Sequence, residues 1–117
     1  MTAKGAKVII SSPTPNNVWE TGTWTYSASR FTTYCKSIAS SIGSAAAFVD
    51  HGQYTANIYK TLGATTVNAF YPNDHTHTSP AGADHVAKAF VKGLLCGGSP
   101  LAAYAKNTTA SVEGACI

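Results

Sequence analysis

The chain alternates short apolar runs with longer stretches whose apolar residues recur every three to four positions. "KVIISS" after Gly5 and "AAFVD" before His51 are rich in Val, Ile and Phe and bounded by turn residues. This is the pattern of strands buried on both faces. Between them, "RFTTYCKSIASSI" carries Phe31, Cys35, Ile38 and Ile42 on one stripe. The stripe predicts a helix with one apolar face, capped by Ser27 or Ser29 and stopped by Gly43 in the left-handed conformation. A strand, a crossover helix and a second strand make a right-handed βαβ unit. A second helix is expected in "QYTANIYKTLG", with Tyr54, Ile58 and Leu62 at i, i+4 and i+8 on one face and Gly63 as its stop. A third starts at Ser79 and Pro80, a cap residue followed by proline at the first helical position. It runs to about Leu95, with Ala83, Val86, Phe90 and Leu94 inward. Alternating strands and helices place the chain in the α/β class.

Two long segments interrupt the alternation, "SPTPNNVWETGTWTYS" after the first strand and "YPNDHTHT" before the third helix. In open α/β sheets, sites lie in loops at the carboxyl ends of strands, so both are candidates. In the first, Trp19, Trp24 and Tyr26 exceed what a plain connector needs. They read either as stacking surfaces for sugar rings or as packing over the sheet edge, since Trp is usually largely buried.

In the second segment, Asp74 and His77 stand three positions apart. In a tight turn the carboxylate can accept a hydrogen bond from the imidazole Nδ1–H and leave Nε2 free, which is the orienting half of a serine-hydrolase triad. By itself D-x-x-H is a weak signal. His75 and His77, with Asp74, also read as an H-x-H metal site. That reading finds no third or fourth ligand cluster, because His51 and His85 are isolated. The bland alternative is a solvated loop in which Asp74 bonds backbone N–H groups.

Composition narrows the field. With 117 residues, 44% hydrophobic and 11% charged, the chain suits one globular domain with a modest core. Its net charge of +3 comes from eight scattered basic and five acidic side chains, which argues against a nucleic-acid patch. No apolar run reaches the roughly 20 residues of a membrane-spanning helix, and "MTAKGAKVIISS" has too short an apolar core for a signal peptide or anchor. Of three cysteines, Cys35 falls on the apolar stripe and reads as a small buried hydrophobe. A bridge between Cys96 and Cys116 would tie down the tail, as a secreted protein would use it. Asn107 opens the glycosylation sequon "NTT", which matters only in a secreted chain.

"AKGAKVIISSPTPNNVWETGTW", "FVDHGQY", "YPNDHTHTSPAGADHVAKAFVKGLLC" and "EGAC" resemble, in order, the C-terminal half of the fungal rhamnogalacturonan acetylesterases of the SGNH (GDSL) hydrolase superfamily. The resemblance covers nearly the whole chain. "DHTHTSPAG" matches the family's fifth block, so it implies Asp74 and His77 as the acid and base of the triad, and Cys96 with Cys116 as its disulfide. It also implies a secreted enzyme with a three-layer α/β/α, flavodoxin-like fold and parallel strands. That enzyme uses no cofactor or metal and removes acetyl groups from pectic polysaccharide. The family's Gly-Asp-Ser nucleophile block and G-x-N-D oxyanion block do not occur here. Residues 1–117 are therefore expected to be the C-terminal portion of one domain, inactive without its missing N-terminal half. The rival readings are a non-catalytic carbohydrate-binding or interaction module that keeps Trp19, Trp24 and Tyr26 for glycan stacking, and a fragment without function.

Overall fold

A computed structural model describes all 117 residues. Strand β1 (Val8–Ser11) pairs in parallel with β2 (Ala46–Val49), in register from Val8 opposite Ala46 to Ser11 opposite Val49. Helix α1 (Arg30–Ile42) joins them and packs across both strands. Gly43 then adopts φ 77°, a conformation that β-carbon crowding discourages in other residues and that lets the chain turn into β2. Helices α2 (His51–Leu62), α3 (Ala64–Asn68) and α4 (Pro80–Cys96) follow. The α/β class with parallel strands is thus present, with the sheet limited to two strands.

The core sits mainly among the last three helices and the segment after β1, where Val18, Tyr54, Ile58, Tyr59, Val67, Phe70 and Ala89 pack together. Ser79 caps α4 by accepting the Gly82 amide, with Pro80 at the first helical position. The two strand ends are tied to α2 by buried Ser12. Its hydroxyl donates to Asp50 Oδ1 at 2.8 Å and accepts the Gly52 amide at 2.9 Å.

Three expectations about packing need correction, those for Cys35, the strands and α4. The α1 stripe itself is uncovered: Phe31, Ile38 and Ile42 are 53%, 51% and 39% exposed. Thr32 and Ala39 are the buried residues of this helix, because small side chains allow close approach to the sheet. Cys35 is unpaired but only half-buried. The strands are not buried on both faces either, since every β1 residue is half-exposed and only Val49 of β2 is fully covered. In α4 the fully buried residues are Gly82, Ala89, Lys92 and Gly93; Val86 packs half-buried against the core as expected, while Ala83 faces solvent. Glycine is required at Gly93, where a β-carbon would lie 2.7 Å from Val49 Cγ1 and 2.9 Å from Tyr54 Cδ2.

The tail is stapled to α4. Cys96 and Cys116 form a disulfide with Cα atoms 5.5 Å apart. Buried Lys92 donates through Nζ to the carbonyls of Thr109 and Val112, which satisfies an ammonium that burial would otherwise penalise. His85 Nδ1 pairs with Glu113 while its ring stacks on Phe70. No helix is long and apolar enough to cross a membrane.

Candidate active site

Residues 71–79 form a loop between α3 and α4, closed at its base by the Ser79 amide donating to the Phe70 carbonyl at 2.7 Å. Inside it, Asp74 does what its short carboxylate favours at a turn. Its Oδ1 accepts the amides of Thr76 and His77, each at 2.7 Å, which curls the backbone and brings residue 77 back over residue 74. The other oxygen, Oδ2, then lies 2.8 Å from His77 Nδ1. With the proton on Nδ1 donated to the carboxylate, Nε2 carries the free lone pair. The ring is 83% exposed, and Nε2 makes no hydrogen bond within the chain.

The His77 amide, then the His77 ring and the Thr76 amide, hold the Asp74 carboxyl well below the ordinary carboxylate range. Asp74 is therefore an anion throughout the physiological range, able to fix the imidazole tautomer and to stabilise an imidazolium. Chemically, the pair can accept a proton at Nε2 and return it.

His75 turns away. Its Nδ1 meets Glu20, 3.1 and 3.2 Å from the two carboxylate oxygens. Asp74, His75 and His77 accordingly do not converge, and nowhere do three or more His, Cys, Asp or Glu side chains gather as a metal site would need. His51 donates its Nε2–H to the Val86 carbonyl at 2.8 Å, and burial lowers its pKa.

Trp19 and Trp24 pack half-buried against the core. Their indole N–H groups donate to the carbonyls of Tyr59 and Ala56, at 2.8 and 3.1 Å, and the Lys60 ammonium lies 4.6 Å above the Trp24 ring. Tyr26 also packs against the core and lines an open groove of about 580 Å³ with Pro13, Asn16, Asn17 and Phe31. Burial, with Asp50 second, raises the Tyr26 pKa. Asn107 is exposed.

Sequence reasoning missed Asn16, Asn17 and Glu20. Asn17 donates its amide to the His75 carbonyl at 2.8 Å, and Thr76 Oγ1 donates to Asn16 Oδ1 at 3.1 Å. The available signal was a lone acid in a segment that faces a histidine-rich one.

The chain is 49% identical over 114 residues to the rhamnogalacturonan acetylesterase of Emericella nidulans. It is a homologue of part of that esterase. The match takes in 97% of this chain and therefore both loops just described, but only 45% of the acetylesterase. The chain thus spans about half the length of the curated relative it matches. No protein-family model matches it.

Proposed function

We propose that residues 1–117 are the C-terminal portion of a secreted serine esterase of the rhamnogalacturonan acetylesterase type, contributing Asp74 and His77 to a Ser-His-Asp triad. The observation that carries this reading is the 2.8 Å Nδ1–Oδ2 contact, with Nε2 left free. The 49% identity supports the substrate class, acetyl esters on the rhamnogalacturonan backbone of pectin.

The serine comes from the complementary segment, because the 117 residues contain no Gly-Asp-Ser sequence. As that hydroxyl attacks the acetyl carbonyl, His77 Nε2 takes its proton and Asp74 stabilises the imidazolium. Nε2 then gives the proton to the departing sugar oxygen, leaving an acetyl-serine that water hydrolyses with His77 again as base. Oxyanion donors come from the same complementary segment. Without them, base and orienter retain little acyl-transfer catalysis. The uncovered α1 stripe and half-exposed β1 support a partner segment that packs there.

The test is hydrolysis of an activated acetyl ester by the isolated chain and by its His77→Ala variant. Equal, background rates are expected. Turnover by the isolated chain that His77→Ala removes would place a nucleophile within these 117 residues and contradict the partial-domain reading.

A further inference from the structure

The bonds inside the loop fix Asp74 and His77 relative to each other, but not relative to the rest of the fold. A base must stand still against the nucleophile it serves, and misplacement of about 1 Å can cost a hundredfold in rate. Something must therefore hold the loop itself.

That hold comes from the segment after β1. The Asn17 amide donates to the His75 carbonyl at 2.8 Å, and Thr76 Oγ1 donates to Asn16 Oδ1 at 3.1 Å. His75 Nδ1 meets Glu20 at 3.1 Å. Tyr71 Oη donates to the Pro15 carbonyl at 3.4 Å near the loop's base, and the other contacts fall on residues 75 and 76, so the two residues between Asp74 and His77 are gripped while His77 keeps its exposure. The gripping segment is itself rigidly mounted. Val18 is buried, Trp19 donates to the Tyr59 carbonyl of α2, and Asn17 is fixed by donating to Asn68 Oδ1 at 2.8 Å and accepting the Trp19 amide at 3.0 Å. A continuous path runs from α2 through Trp19 and Asn17 to the loop.

From this geometry we infer that Asn16, Asn17 and Glu20 are positioning residues that clamp the Asp74–His77 loop against the carboxyl end of the sheet. This rests on the reading of Asp74 and His77 as the triad's acid and base. His75 is thereby the handle of the clamp, with Thr76.

The isolated chain tests it by NMR, with no need for turnover. In an Asn16→Ala/Glu20→Ala variant, exchange of the Asn17 amide should quicken at least about fivefold, since one hydrogen bond is worth roughly that factor. Order parameters of the Thr76 and His77 amides should fall from about 0.85 toward 0.6. The Tyr59 and Ala89 amides should exchange as in the parent, which separates local loosening from unfolding. Asn16→Asp and Thr76→Ser, which keep the acceptor and the donor, should behave as the parent, whereas Thr76→Val should loosen the loop. Unchanged order parameters in the double variant, or loss of protection at Tyr59 and Ala89 together with the loop, would overturn the clamp. His77→Ala leaves the Asn17 amide protected whatever His77 does in chemistry, so failure of the triad reading is read out separately.

Discussion

Opening the Cys96–Cys116 bridge should cost this protein a large share of its stability. The bonded residues are 20 positions apart. For a loop of that length the closure entropy removed from the unfolded chain is on the order of 11 cal/mol/K, or about 3 kcal/mol at room temperature. A domain of this size has a total stability of only about 5–15 kcal/mol. The tail also does packing work that a loosened C-terminus would weaken: Gly114 lies against Ile58, where an added β-carbon would sit 3.2 Å from Cγ1, and the Ile117 amide donates to Tyr54 Oη at 3.4 Å. The Lys92 and Glu113 attachments do not depend on the bridge, so closure entropy is the main part of the expected loss. Urea unfolding of the parent and of a Cys96→Ser/Cys116→Ser variant measures it. With an m-value of about 1–3 kcal/mol/M, the midpoint should fall by about 1–3 M. Cys35→Ser, at an unpaired and half-exposed site, should move it little. A drop under about 0.5 kcal/mol for the double variant would refute the closure argument.

Gly93→Ala should destabilise the fold by about 1–2 kcal/mol in the same assay, although alanine is the better helix former, because its β-carbon meets Val49 and Tyr54 below 3 Å. Trp19→Phe should cost about 1 kcal/mol by removing the bond to the Tyr59 carbonyl, and it should leave any affinity for pectic oligosaccharides unchanged in calorimetry. The folded Asp74 pKa lies below its ordinary 3.8, so the order this carboxylate gives the loop is fully present above that value and is lost as pH falls through the folded pKa. Exchange protection of the Thr76 and His77 amides should therefore hold from neutral pH down to pH 3.8 and disappear only in stronger acid.

What the chain's pattern reveals is local. The two strands, the cap at Ser79 and the stops at Gly43 and Gly63 follow from residues acting within a few positions, and each is where the pattern places it. The Asp74–His77 contact was legible for the same reason, since an i, i+3 pair in a turn closes on itself. Where the pattern misleads, the cause is a distant partner. Periodicity says that Phe31, Ile38 and Ile42 share a face, but not whether anything in this chain covers it. Lys92 is buried against a tail whose carbonyls no spacing rule could assign to it. Residues α3 spans, Ala64–Asn68, are too few to show a period. The clamp on the loop joins residues more than fifty positions apart.

The central claim, that Asp74 and His77 are the base machinery of a divided acetylesterase, is met most directly by restoring the division. The chain should be joined to the portion of the Emericella nidulans rhamnogalacturonan acetylesterase that it does not match, and acetate release from acetylated rhamnogalacturonan should be followed. The joined protein should gain activity that the isolated chain lacks. His77→Ala should then remove most of it, by several orders of magnitude, and Asp74→Asn should lower it about ten-thousandfold by favouring the wrong tautomer. A joined, folded enzyme whose rate is indifferent to His77→Ala would contradict the account.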